Sequence, residues 1–225
     1  LASDFRIEKD FNNVIHGKEI DLYSNRIKSY NPLTNETLKK MAEDITDVTK
    51  EILPDQKLDC VAYGCTSGTI AAGYKSIYDK VNLAKPNTKV TTPITSTINA
   101  LKKLKKNKLS IFTPYTDQIN QSVIEYFKKE NIEISELSYF DLASDIDIGK
   151  VDPNHLFDIL SQKDLSSSDA LFVSCTALPV LSIIKDLEKK LGKIVLSSNQ
   201  TLIWDTLNQI DCKNKIEDYG ELFNN

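Results

Sequence analysis

The chain has 225 residues, 40% of them apolar and 27% charged, and a formal net charge of −4. This is ample for a buried core and too apolar for a disordered chain; no apolar run reaches the ~18–20 residues that span a bilayer, and the acidic balance argues against nucleic acid or a membrane surface as partner. Seven Gly and seven Pro exclude a collagen-like or low-complexity chain, and four cysteines over this length make no disulfide scaffold, so a reduced, cytoplasmic protein is expected.

In chain order, a helical pattern follows Leu1-Ala-Ser-Asp4, and residues 20–23 read as a strand. Behind that strand, Arg26 has two fates, a substrate carboxylate or a surface ion pair, the second being commoner. Residues 57–63 form a short buried-strand pattern leading through a small-residue turn into a helix over 70–78. Strand 89–92 precedes a helix over 95–106, and strand 109–113 precedes one over 117–130. Residues 132–137 give a further strand. Strands 170–173 and 193–196 are followed by helices over 178–191 and 200–210. Short β-branched runs followed by amphipathic helices predict an α/β fold, doubly wound, with parallel sheets covered on both faces.

The pattern repeats. Asp59-Cys-Val-Ala-Tyr-Gly-Cys65-Thr66 lays over Asp169-Ala-Leu-Phe-Val-Ser-Cys175-Thr176, and 89–92 over 193–196. The turn at Asp4 pairs with the turn at Tyr115, and the spacing from each turn to its cysteine agrees to within one residue. Two similar lobes related by a pseudo-twofold axis follow, residues 1–105 and 106–211, with the tail 212–225 expected to return to the first lobe. The repeat also leads us to expect a short N-terminal piece, carrying the first strand, upstream of Leu1.

Cys65 and Cys175 are the sharpest feature, because each is placed where a strand's carboxyl end turns into a helix, the crevice where open α/β sheets bind ligands. At a pKa of ~8.5 about 3% of a thiol is ionised at pH 7, and a helix N-terminus is expected to raise that share. The hydroxyls of Thr66, Ser67, Thr69 and Thr176 lie beside the sulfurs and suit carboxylate oxygens. One such cysteine is ordinarily a small buried hydrophobe; two at repeat-equivalent positions favour function. Cys60 and Cys212 read as structural. His16 and His155 lie outside any nucleophile motif, no metal-ligand spacing occurs, and no phosphate-binding glycine pattern occurs. The lysine run from Lys102 to Lys108 reads as a solvated helix end.

Tyr63-Gly-Cys-Thr-Ser-Gly68, Thr92-Pro-Ile-Thr95, Thr113-Pro-Tyr115, Ser174-Cys-Thr176 and Ser197-Ser-Asn-Gln200 resemble the motifs of the aspartate/glutamate racemase superfamily. Within it they are most similar to the branch of maleate cis-trans isomerase, arylmalonate decarboxylase and ectoine-utilisation relatives. The resemblance implies a cleft between the lobes with Cys65 and Cys175 facing each other across a small carboxylate or dicarboxylate, no cofactor, no metal, and a homodimer. It implies that Cys65 adds to the double bond of a cis-butenedioate while Cys175 handles a proton, that Tyr115 hydrogen-bonds substrate, and that Asn199 opens a helix facing a carboxylate. It also places residues 138–152 at the border of the cleft, without assigning one of them. Asp4 departs from the isomerase pattern, which has Asn there. Asp4 suits an amino-acid racemase that moves an α-proton between opposed cysteines, and it also suits a plain helix cap. A catalytically silent ligand-binding domain is the third alternative.

Overall fold

A computed structural model describes residues 1–212 and 216–225. The chain opens with a buried turn in which Asp4 Oδ1 accepts the N–H groups of Arg6 (2.7 Å) and Ile7 (3.1 Å), starting helix α1, Ile7–Ile15. Two short helices follow an irregular stretch: α2, Asn35–Met41, and α3, Ile45–Lys50. Thr34 and Thr37 form a reciprocal capping box on α2, which buries Leu38 and Met41.

The first sheet, among the described residues, holds β1, Cys60–Ala62, and β2, Lys89–Thr91, in parallel. They are linked by α4, Thr66–Ala72, and α5, Tyr74–Ala84. Residues 70–78 therefore hold two helices rather than one: Gly73, at φ +82°, breaks the run in a region that side chains avoid. Helix α6, Pro93–Leu104, begins with proline at its first turn and ends at Lys105 in the left-handed region.

The second sheet has the order β4-β3-β5-β6, all parallel. Its strands are β3, Lys108–Thr113, β4, Glu133–Tyr139, β5, Ala170–Val173, and β6, Ile194–Ser197. Helix α7, Asp117–Lys129, connects the first pair, and α8, Asp145–Gly149, with α9, Pro153–Leu160, leads on to β5. Helix α10, Ile184–Leu191, precedes β6, and α11, Ser198–Gln209, follows it. Every residue of β5 is buried, as expected of a strand covered on both faces.

Two further expectations are corrected. Residues 20–23 form no strand: Leu22 and Tyr23 face solvent, so the run lacks the buried face a strand needs. The helix expected over 178–191 starts only at Ile184, after one 3-10 turn, because Pro179 disfavours helical geometry just ahead of it.

Helices α6 and α11, which follow the repeat-equivalent strands β2 and β6, pack on each other, and α11 also lies on β1 and β2. Their seam is polar: Thr97 and Thr201 share a 2.9 Å hydrogen bond, and Asp205 accepts from Ser96 (2.8 Å) and Asn99 (3.1 Å). The last helix of one half thus covers the sheet of the other. The expected path of the tail 212–225 falls partly outside the described residues. Its described part meets both halves: Ile216 joins the cluster of Phe11 and Val14 on α1, Tyr219 O accepts from Gln200 (2.7 Å), and Glu188 accepts the N–H of Glu221 (2.8 Å).

Candidate active site

Cys65 stands just past β1 and caps α4. Its Sγ accepts the Gly68 N–H at 3.2 Å and lies 3.9 Å from Ser67 Oγ. A Cβ on Gly68 would fall 2.8 Å from that sulfur and 2.9 Å from Tyr63 Oη, so only glycine lets thiol, phenol and helix start share this space. Cys175 stands just past β5, but no helix begins there. It sits at φ +96°, a strained conformation for a side chain other than glycine, held by its own N–H donating to Ser198 Oγ at 3.0 Å. The expectation of a helix N-terminus at this second cysteine is therefore wrong; Pro179 intervenes before the next helix.

The two cysteines are brought into one polar environment. Thr66 Oγ1 donates to Ser198 Oγ at 2.8 Å, and Thr176 Oγ1 to Gly64 O at 3.4 Å, so each neighbour of a thiol is bonded to the opposite half. Tyr115, fully buried, receives a 3.4 Å hydrogen bond from Ser174 Oγ and lies close enough to both sulfurs for each to raise its phenol, after burial as the main cause. Asp145 acts on both thiols as well.

This setting overturns the expected thiolate. Cys65 and Cys175 are only 4% and 6% exposed. Burial, followed by the charge of Asp145, pushes the Cys65 thiol up to about 11, against the opposing pull of the Gly68 N–H. The same two causes, with Asp4 adding to them, hold Cys175 well above the ordinary thiol value. Loss of water outweighs one helix N–H, so both thiols rest neutral at pH 7.

Asp4, 3% exposed, uses Oδ1 to accept the Arg6 and Ile7 N–H groups while its Oδ2 is buried with no hydrogen-bond partner. It therefore orders the turn that leads into α1, whose N-cap position is Arg6, two residues beyond the expected one. Asn199 donates its amide to Asp10 Oδ2 (2.7 Å) and Thr176 O (2.9 Å), which leaves Oδ1 buried and unpartnered. Burial raises Asp10 to about 6, against the hydrogen bond from Asn199. Arg26 takes the commoner of its two fates, an ion pair with Glu8 at 2.8 Å. Asp145, Ser198, Tyr63 and Asp10 were not singled out from sequence. Asp145 lies in the 138–152 stretch placed beside the cleft, Ser198 within the quoted Ser197–Gln200 motif, and Tyr63 at the head of the quoted Tyr63–Gly68 motif; Asp10 carried no signal. Among the described residues no group of three His, Cys, Asp or Glu side chains could hold a metal, and no helix is long and apolar enough to cross a membrane.

Paired parallel-sheet lobes, each bringing a cysteine from a strand end to a shared polar centre, define a class of two-lobed α/β enzymes. The family model described as arylmalonate decarboxylase matches residues 31–223, and the chain belongs to that family. It is 28% identical over 198 residues to a maleate isomerase of Geobacillus stearothermophilus, covering 84% of this chain and 78% of that one. It is 26% identical over 136 residues to the arylmalonate decarboxylase of Bordetella bronchiseptica, covering 59% of this chain and 57% of that one. Among solved structures, a Nocardia farcinica maleate cis-trans isomerase mutant with a covalently bound succinylcysteine intermediate superposes with a TM-score of 0.90 at 19% identity, over 99% of this chain and 94% of that one. The maleate isomerase of Pseudomonas putida S16 gives 0.89 at 20% identity over the same shares. These superpositions extend the two-lobed fold to nearly the whole chain.

Proposed function

We propose that this protein is a cofactor-independent isomerase that turns over a small unsaturated carboxylate or dicarboxylate as a maleate cis-trans isomerase does. The observation that carries the reading is the pair of buried thiols from repeat-equivalent strand ends, joined through Ser198 Oγ, which accepts from Thr66 Oγ1 and from the Cys175 N–H. Support comes from the relatives named maleate isomerase and from the succinylcysteine held by the Nocardia neighbour.

In this reading Cys65 Sγ bonds to one alkene carbon while the other takes a proton from Cys175. The proton that leaves Cys65 restores Cys175, so the sum is addition of one S–H across the double bond. Rotation about the resulting single bond is free, and the reverse steps expel the trans acid and return both thiols. Neutral resting thiols suit this cycle, since net charge at the sulfurs is the same before and after addition. Tyr115 hydrogen-bonds the substrate or Cys175; the Ser67 hydroxyl holds a carboxylate, while those of Thr66 and Thr176, which donate to Ser198 and Gly64 O, position the two thiols; Asn199 and Asp4 line the same centre. The lobes, residues 1–105 and 106–211, supply one thiol each. A homodimer in the cytoplasm belongs to the same proposal; four free cysteines support the reducing location.

A second reading, an amino-acid racemase whose thiols move an α-proton from face to face, is favoured by one feature, the buried carboxylates of Asp4 and Asp145. Proton NMR separates the two. Maleate should give fumarate, with the rate abolished in Cys65→Ser and Cys175→Ser. Deuterium exchange at the α-carbon of aspartate without any fumarate would favour the racemase, and binding without turnover would leave a silent ligand-binding domain.

A further inference from the structure

The centre is built to accept hydrogen bonds at one end. Asp4 and Asp145 are 3% and 5% exposed, and neither forms an ion pair among the described residues. The arginines near this turn are committed elsewhere: Arg6 donates to Gly149 O (2.8 Å and 3.2 Å), and Arg26 to Asp4 O (2.6 Å) and the Glu8 carboxylate (2.8 Å). Asp145 Oδ2 has one donor, Ser3 Oγ at 2.8 Å. Burial, then Asp4, raises the Asp145 carboxyl, while the hydrogen bond from Ser3 pulls it back.

The orphaned atoms say the same thing independently. Among the described residues Asp4 Oδ2 and Asn199 Oδ1 are buried acceptors without a donor, and the Asn199 amide is oriented by its two acceptors, Asp10 and Thr176 O. Tyr63 Oη, on a side chain 8% exposed, is a third unpartnered atom, converging with Cys65 Sγ on the space above Gly68. Unmet buried acceptors are costly, and folded proteins supply them with a partner from protein, water or ligand. A carboxylate brought against Asp4 and Asp145 would bring no donor to either, whereas an N–H group would.

We propose that the end of the substrate facing Asp4 and Asp145 is an N–H donor, an amide or an ammonium, and that only its other end is a carboxylate. Within the isomerase reading, on which this rests, the favoured substrate is the half-amide of cis-butenedioic acid rather than the diacid. Within the racemase reading it is an α-amino acid. The carboxylates of Asp4 and Asp145 then act in specificity, selecting the donor end and rejecting a second negative charge.

Binding of saturated analogues tests this apart from any chemistry. By calorimetry on the whole protein, succinamate should bind at least about tenfold more tightly than succinate at pH 7. Asp145→Asn and Asp4→Asn should reduce or reverse that preference; asparagine has the same shape and its Oδ1 can still accept from Ser3 at 145 and from the Arg6 and Ile7 N–H groups at 4, so both variants are expected to fold. Succinate binding as tightly as succinamate, or a preference unmoved by both variants, would overturn the inference whether or not maleate is turned over. L-aspartate outcompeting succinamate would place an ammonium at the donor end and uphold it, while moving the reaction toward the racemase. Failure of every probe to isomerise, with the succinamate preference intact, would uphold the donor end and remove only the isomerase reading.

Discussion

Thr66 and Ser198 are joined by a 2.8 Å hydrogen bond between their hydroxyls, and Ser198 also receives the N–H of Cys175 at 3.0 Å. One buried oxygen thus ties the residue after the first thiol to the backbone of the second, across two halves of the chain. Ser198→Ala removes an acceptor from two buried donors. We expect about 1–3 kcal/mol lost from stability by urea unfolding, and turnover reduced about tenfold or more through misplaced thiols. Unchanged stability together with unchanged turnover would show that the two halves are held by other contacts.

Gly68 leaves room for both Cys65 Sγ and Tyr63 Oη, since a Cβ there would sit within 3 Å of each. In Gly68→Ala the sulfur must shift. Turnover is expected to fall about 100-fold while circular dichroism stays that of the parent. Alanine is the better helix former, so a rate loss here reports geometry rather than unfolding.

Cys175 at φ +96° is a second site where backbone conformation can be read from a substitution pair. Ordinarily alanine is favoured over glycine. Here Cys175→Gly is expected to be more stable than Cys175→Ala by about 1 kcal/mol, because glycine adopts this conformation without strain. Both variants should be inactive. Denaturant melts of the two proteins check the order.

Asp10 makes the stability depend on pH in a defined direction. Its carboxyl, raised from 3.8 to about 6 chiefly by burial, is protonated more readily in the folded state than in the unfolded one. Its contribution therefore favours the fold below about pH 4 and is lost as pH rises through about 6. Asp10→Asn, which can still accept from Asn199, is expected to stabilise the protein at pH 7 by about 1–2 kcal/mol. It should also flatten the dependence between pH 4 and pH 7. A parent whose stability from this group rises over that interval would contradict the assignment.

The βα alternation and the site's position were legible because they depend on local pattern. Short apolar β-branched runs sit directly before amphipathic helices, and Cys65 and Cys175 follow β1 and β5 as the repeat implies. The turn at Asp4 ahead of a helix was legible for the same reason. The ionisation of the thiols was not: the helix N-terminus behind Cys65 is a local feature, while the burial and the Asp145 charge that outweigh it come from elements distant in sequence. Asp145 and Ser198 reach the thiols by tertiary contact, for which periodicity offers no signal. The backbone at Cys175 departs from the repeat because Pro179 has no counterpart in the Thr66–Ala72 helix. The region 20–23 shows the converse: Ile20 packs on the core, but Leu22 and Tyr23 have no face to bury them.

Mass spectrometry of the Cys175→Ser protein after brief incubation with maleate or its half-amide is the most direct measurement. The serine hydroxyl at position 175 or water can still deliver the proton that completes addition, but no thiolate remains there to take it back, so elimination should stall, and we expect a peptide containing Cys65 to carry one substrate molecule. The same label should be absent from Cys60 and Cys212 and from Cys65→Ser. A fully active Cys175→Ser enzyme with no adduct, or a label found only on Cys60 or Cys212, would contradict covalent chemistry at Cys65.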